Sequence, residues 1–134
     1  MPREITILSP RPLSDVEVLQ AATDAIPEVG VRRIQPGALL QFAASSGDEA
    51  EIVLTMEQPS YLRAPEEIER LHPGTVLPAA MLEAMVQAAI DPATSQAVWI
   101  DATAPATPLG LVGAGICERL AAAAGGVCIV QDGR

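Results

Sequence analysis

The spacing of apolar and polar residues predicts two elements at the start of the chain. Residues 4–9 (EITILS) are mostly apolar, which indicates a short buried strand. Ser14 and Glu17 have the S-x-x-E spacing of a capping box, so we expect a helix from there to about Ile26. Apolar residues at helical spacing would form its buried face: Val16, Leu19, Ala22 and Ile26.

The next part of the chain predicts an antiparallel meander. Residues 29–34, 38–45 and 51–57 have the composition of strands, and Pro36-Gly37 and residues 46–49 suit the turns between them. In the third strand, apolar and polar positions alternate, so we expect one face to be buried and the other partly solvated. On that interpretation Ile52, Leu54 and Met56 point one way, and Glu51, Val53, Thr55 and Glu57 point the other.

Three helices and two strands are expected in the second half. A short helix begins near Pro65 and stops at residues 72–74 (HPG). A longer helix covers 78–90, followed by a strand over 96–102. Thr107-Pro108 begins a last helix that runs to about Ala124, and residues 126–132 form the last strand. The apolar stripe of the 78–90 helix is expected to lie on the core: Leu82, Met85, Val86, Ala89 and Ile90.

The predicted order of elements is β-α-β-β-β-α-α-β-α-β. It indicates an α+β fold, an α/β sandwich with a mixed sheet of about six strands and helices mainly on one face. The strand-helix-strand units at both ends suggest parallel neighbouring strands. We expect residues 1–134 to form a single domain.

The glycine-rich stretch from Gly110 to Gly133 resembles in its spacing the turn, helix and strand of a dinucleotide-binding site. Gly113 and Gly115 match the first two glycines of G-x-G-x-x-G, but Glu118 occupies the third position and would place a carboxylate near a bound pyrophosphate. A helix beginning at Pro108 explains the same residues, because glycines inside it would allow close approach to the sheet. We therefore predict no cofactor.

Charge and composition exclude several classes of partner. The chain has 17 acidic and 8 basic residues, giving a net charge of −9, and no lysine, which argues against nucleic-acid binding. The longest apolar stretch is interrupted by Glu118 and Arg119, and no signal peptide is visible, so we expect neither a membrane span nor secretion. Cys117 and Cys128 are too few for a disulfide framework and fit reduced thiols in the cytoplasm.

Three residues are weak candidates for catalysis. His72 is the only histidine, and with Glu66 and Glu69 it lacks the second strong ligand that a metal site needs, so no metal is expected. Asp101 and Asp132 both end predicted strands. If those strands were adjacent and parallel, the two carboxylates would share one rim of the sheet, where open α/β sheets bind ligands.

Two functions remain open. The first is a non-catalytic protein-binding module, immunity- or adaptor-like, whose acidic surface meets a basic partner. Its candidate contact residues are Tyr61, Arg63, Glu51, Glu57, Glu66, Glu67 and Glu69. The alternative is a small enzyme or small-molecule-binding domain at the Asp101/Asp132 rim. A homodimer through a sheet edge is a further possibility.

Overall fold

The computed structural model describes residues 2–34, 39–46 and 49–131. Within them lie seven strands and four helices. The strands are β1 (Arg3–Ser9), β2 (Gly30–Ile34), β3 (Leu39–Ser46), β4 (Glu49–Glu57), β5 (Ser60–Tyr61), β6 (Val98–Ala104) and β7 (Val127–Gln131). The helices are α1 (Asp15–Ala25), α2 (Glu66–Leu71), α3 (Ala79–Ile90) and α4 (Pro108–Ala124), with a short 3-10 turn over Pro92–Thr94. The predicted turn at Pro36-Gly37 and the centre of the turn at 46–49 lie outside the described residues.

The fold is α+β, but the sheet is antiparallel throughout its described strands. Its order is β2-β3-β4-β6-β1-β7, and the short β5, which the sequence did not predict, also pairs with β6. The prediction of parallel neighbours was wrong, because β1 lies between β6 and β7 and pairs antiparallel with both. A strand-helix-strand pattern specifies a crossover and leaves open how many strands it passes. The outer edges of β2 and β7 have no strand partner in this part of the chain, so dimerisation through an edge stays a prediction.

Helices cover both faces of the sheet, which corrects the expectation of one helical face. On the first face, α1 and α4 pack over a core that includes Ile5, Ile7 and Ile100. On the second face, α2 and α3 bury Leu8 in a smaller core. The strand β1 contributes Ile5 and Ile7 to the first core and Leu8 to the second.

A β-bulge in β4 changes which side chains share a face. Phe42 pairs with Leu54 and Ala43 with Ile52, so Val53 has no partner on β3. The extra residue turns Ile52 away from Leu54, and Ile52 is exposed whereas Leu54 is buried. The simple alternation predicted for 51–57 was therefore wrong.

Two helices bury faces that overlap the predicted ones only in part: Ala22 and Met85 are buried as predicted. In α1 the exposed fraction of Val16 is 74%, and the buried residues are Val18, Ala21 and Ala22. In α3 the residues Met81, Met85 and Ala88 are buried, whereas Leu82, Val86 and Ile90 are exposed. Because α3 is apolar almost all round, its pattern alone does not select a face. Methionine and alanine suit the irregular, closely packed space over β1 and β6.

The last helix begins and ends where the sequence predicts. It runs from Pro108 to Ala124 and is terminated by Gly125, whose φ of 76° is left-handed. Gly113 packs so closely on the bulge that a Cβ would lie 2.0 Å from the carbonyl oxygen of Val53. Gly110 is confined by the carbonyl of Pro105 in the loop before the helix, whereas at Gly115 the described residues outside the backbone of its own helix place nothing within 4 Å of a Cβ. The close approach to the sheet that was expected of these glycines is thus confirmed at Gly113 alone.

None of the helices in the described ranges combines the length and the apolar character that crossing a membrane requires.

Candidate functional site

A groove of about 600 Å³ lies on the second face of the sheet. The helices α2 and α3 cover only part of this face, and the end of α2, at Leu71 and His72, forms one wall. The floor is made by side chains of β1, β4, β6 and β7. Its polar lining consists of Glu4, Thr6, Thr55, Glu57, His72, Trp99, Asp101, Thr103 and Gln131.

Strand register places polar side chains in one row across this face. Successive cross-strand pairs join Gln131 to Glu4, Glu4 to Thr103, Thr103 to Thr55, and Thr55 to Gln41. Because paired residues of an antiparallel sheet lie on the same face, these side chains form a continuous polar stripe. The amide nitrogen of Gln41 donates to the hydroxyl of Thr55 at 3.5 Å, which ties the stripe together at one point.

Asp101 lies beside this row and is held by two hydrogen bonds. The hydroxyl of Thr6, on the neighbouring strand β1, donates to its Oδ1 at 3.1 Å. The indole Nε1 of Trp99, two residues earlier on β6, donates to the same oxygen at 2.9 Å. Asp101 itself is exposed and Thr6 is buried, so the carboxylate is fixed from below and open to solvent from above. Its second oxygen, Oδ2, accepts no hydrogen bond from the part of the chain that the structure describes.

His72 meets the sheet at Trp99. The ring centroids are 5.4 Å apart with an angle of 35° between the planes, so α2 ends against the aromatic wall of the groove. The backbone of His72 caps α2 by donating to the carbonyl of Ile68, as expected for a residue that stops the helix. Its Nδ1 is buried without a hydrogen-bond partner among the described residues.

The groove is acidic. Glu4, Glu57 and Asp101 line it, and no arginine is among its described lining residues. The nearest cation along the polar row is Arg32, one strand beyond Gln41, and its guanidinium donates to the Gln41 side-chain oxygen at 2.8 and 3.0 Å. The lining therefore favours a positively charged ligand.

The adjacent parallel strands that the predicted Asp101/Asp132 rim requires are absent from the described sheet. Asp101 lies in the middle of β6, with Ile100 and Ala102 buried on either side of it. The strands β6 and β7 are separated by β1 and so are not neighbours. Asp132 lies outside the described residues. The structure instead brings together Asp101 and His72, which line the same groove through Trp99.

The predicted acidic contact residues divide between different surfaces. Glu57 lines the groove. Glu51 pairs with Ala44, and Ala44 packs on the first core, so the bulge places Glu51 on the opposite face from Glu57. A single patch containing both was a wrong expectation.

The acidic residues of α2 lie along the helix that ends at the groove. Glu66 and Glu69 are exposed, and Glu67 forms an ion pair with Arg70. The hydrogen bond from Arg70 lowers the pKa of Glu67. These charges add to the negative field around α2 without lining the groove.

Tyr61 and Arg63 form a separate exposed pair. The guanidinium carbon of Arg63 lies 5.4 Å from the centre of the Tyr61 ring, and its Nη1 donates to the carbonyls of Pro92 and Ala93. Tyr61 belongs to β5 at the Val98 end of β6, and neither residue lines the groove.

The two cysteines are unpaired thiols in the first core. Burial raises the pKa of Cys117 far above its ordinary value. Burial, with a smaller contribution from Glu118, raises the pKa of Cys128 to about 12. Neither thiol forms the reactive thiolate that nucleophilic chemistry needs at neutral pH.

Several residues of the groove were not predicted from the sequence. The sequence predicts Thr6 and Trp99 only as parts of strands, and Thr103 lies just beyond the predicted strand over 96–102. Their signal is the two-residue period: polar Glu4 and Thr6 alternate with buried Ile5 and Ile7, and the β6 sequence VWIDATA alternates in the same way. That pattern identifies a solvated face, but the partner strands that complete the groove cannot be identified from it.

Within the described ranges, no three histidine, cysteine, aspartate or glutamate side chains lie close enough to bind a metal ion together. We found no protein-family model, curated protein or solved structure that matches this chain, so the groove has to be interpreted from its own chemistry.

Proposed function

We propose that this protein is a non-catalytic binding module whose acidic groove receives a basic segment of a partner protein. The observation that carries the proposal is the composition of the groove lining: three carboxylates, an aromatic pair and hydroxyl groups, with no arginine among the described lining residues. The overall charge of −9 acts in the same direction and would attract a basic partner before contact.

The shape of the groove fits an extended segment. The polar row runs across β7, β1, β6 and β4, perpendicular to the strands, and adjacent strands are about 4.8 Å apart. Four strands therefore offer roughly 15 Å of polar floor, enough for several residues of an extended peptide at about 3.3 Å each. A basic side chain would meet a carboxylate at Glu4, Glu57 or Asp101.

Trp99 makes the proposal testable by fluorescence, because it is the only tryptophan and it lines the groove. We expect the peptide Ac-GRGRGRG-NH2 to change its emission saturably and to bind more weakly as salt rises, whereas Ac-GEGEGEG-NH2 leaves it unchanged. A double variant, Glu4→Gln with Glu57→Gln, should weaken binding of the basic peptide about tenfold or more.

The control is a double variant with the same change in charge, Glu28→Gln with Glu83→Gln, at exposed positions outside the groove. It should weaken binding of the basic peptide no more than about twofold at 0.15 M salt, because distant exposed charges are screened. An equal loss in both double variants, or no saturable binding by the wild type, would refute the proposal.

A small-molecule site in the same groove is the second candidate function. Asp101, His72 and Trp99 converge there, and about 600 Å³ lies within the range of small-molecule pockets. In that case a small cation would bind at least as tightly as a basic peptide of the same charge. Titrating the peptide and screening small cationic metabolites, both by Trp99 fluorescence, would distinguish the two candidate functions.

A further inference from the structure

We infer that the floor of the groove is a subsite for a guanidinium group, which it would select over an ammonium group. This inference rests on the proposed binding function and names the chemistry of its central contact. The residues that carry it are Asp101, Trp99 and Thr6, with His72 behind the tryptophan.

Two hydrogen bonds fix the orientation of Asp101. Two donors, from Thr6 and Trp99, occupy Oδ1, so both ordinary acceptor directions of that oxygen are used. The free acceptor is Oδ2, on an exposed side chain above the sheet. A charged donor entering the groove therefore meets a carboxylate that has already lost its rotational freedom, which reduces the entropy cost of binding.

The indole ring of Trp99 lies beside the Asp101 carboxylate. Trp99 is half-buried, fixed on one side by its hydrogen bond to Asp101 and in contact with the His72 ring. This pair of residues places a flat, apolar ring next to a negatively charged carboxylate. A planar cation can use both at once, by stacking on the ring and donating to the carboxylate.

A further hydrogen-bond acceptor lies on the same face of β6. Thr103 lies two residues beyond Asp101 on β6, about 7 Å along the strand, and pairs with Glu4 and Thr55 on either side. A guanidinium has five N–H donors in a rigid plane and can reach separated acceptors, whereas an ammonium is compact and strongly hydrated. The spacing of Asp101 and Thr103 along one face of β6 thus favours the planar group.

The test compares two peptides of equal charge, Ac-GKGRGKG-NH2 and Ac-GKGKGKG-NH2, by Trp99 fluorescence with the full chain. We expect the peptide with the central arginine to bind about tenfold more tightly, the size of a well-formed cation–π and charge-assisted contact. Asp101→Asn should bring the two affinities within about twofold of each other, because the amide keeps an acceptor oxygen for Thr6 and Trp99 but removes the charge. The control Glu83→Gln should leave the tenfold ratio unchanged.

Different outcomes separate this inference from the proposed function. If both peptides bind equally tightly in the groove, the guanidinium subsite is refuted and the basic-segment module stands. If neither binds, both are refuted.

Two small probes identify the source of the guanidinium. Binding of butylguanidinium as tight as that of the arginine peptide, with no effect of butylammonium, would support the subsite and assign it to a free guanidino compound instead of a protein side chain. Preference for butylammonium would overturn the inference.

Discussion

Glu17 has two partners at the start of α1. Its carboxylate accepts from the guanidinium of Arg11 at 2.7 and 2.9 Å, and it accepts from the backbone N–H of Ser14 at 3.1 Å to complete the capping box. The hydrogen bond from Arg11, followed by that from the Ser14 backbone, lowers the pKa of Glu17 to about 2. The capping box expected from the sequence is therefore confirmed, and the ion pair adds to it.

The pH dependence of stability should reveal this contact. Because the folded pKa of Glu17 lies below its ordinary value of 4.5, the stabilisation is present above pH 4.5 and lost as the pH falls toward 2. Glu17→Gln should lower the free energy of unfolding by about 1 kcal/mol at pH 6 and by much less at pH 2. Urea unfolding at a series of pH values measures this difference, with Glu28→Gln as the control. A cost of Glu17→Gln that does not change with pH would contradict the assignment.

Single residues could be predicted where the signal is local. The cap at Ser14 and the helix end at Gly125 depend on a few consecutive residues, and both were identified. The contact between His72 and Trp99 joins residues that are 27 positions apart in the sequence, so no local sequence pattern predicts it. Sequence reasoning accordingly selected His72 and Asp101 separately and did not place them together.

At the scale of elements, α4 and the bulge in β4 depend on each other. The bulge at Val53 has a carbonyl oxygen within 2.0 Å of the position a Cβ on Gly113 would take, so this helix can lie on this strand only without a side chain there. The adjacent Gly115 has open space around it and belongs to the same helix. Packing on β4 therefore requires glycine at position 113 but not at position 115.

A pair of matched substitutions tests this contrast. Gly113→Ala should lower the free energy of unfolding by about 1–3 kcal/mol, because the added methyl overpacks the contact between helix and strand. Gly115→Ala should raise it by up to about 1 kcal/mol, since alanine is the better helix former. Chemical denaturation of both variants gives the answer. Equal effects of the two substitutions would show that α4 does not lie on the bulge.

The faces of α1 and α3 show where pattern reasoning at this scale stops. Both helices were predicted at the right place, but Val16, Leu82 and Val86 are exposed. A helix with apolar residues on more than one side is compatible with several rotations, and packing against the sheet selects one of them.

The whole molecule is organised around β1. This strand is paired on both edges and contributes side chains to both cores. The strand β2, in contrast, pairs only with β3 among the described strands and is mostly exposed. The local stability of the sheet should therefore decrease from β1 and β6 toward the outer strand β2.

Native-state hydrogen exchange should reproduce this gradient. We expect the amides of β1 and β6 to exchange only through global unfolding, with the highest protection in the protein. The amides of β2 should exchange at least about tenfold faster, because an edge strand opens locally. Measurement by NMR or mass spectrometry at several denaturant concentrations would show the difference. Equal protection of β2 and β1 would contradict the observed strand order.

The sequence by itself determined the local elements of this protein. The strand at 4–9, the capped helix after Ser14, the meander and the helix beginning at Pro108 follow from residue period, caps and turn residues, which act over a few positions. The net negative charge also follows from composition.

Only the tertiary structure decided how these elements meet. Insertion of β1 between β6 and β7, the bulge at Val53 and the buried faces of α1 and α3 depend on which apolar surfaces pack together, and local periodicity carries no information about that choice. The groove follows from the same choice. Its polar row exists because neighbouring strands are aligned in register, and Asp101 meets Thr6 because β1 and β6 are neighbours.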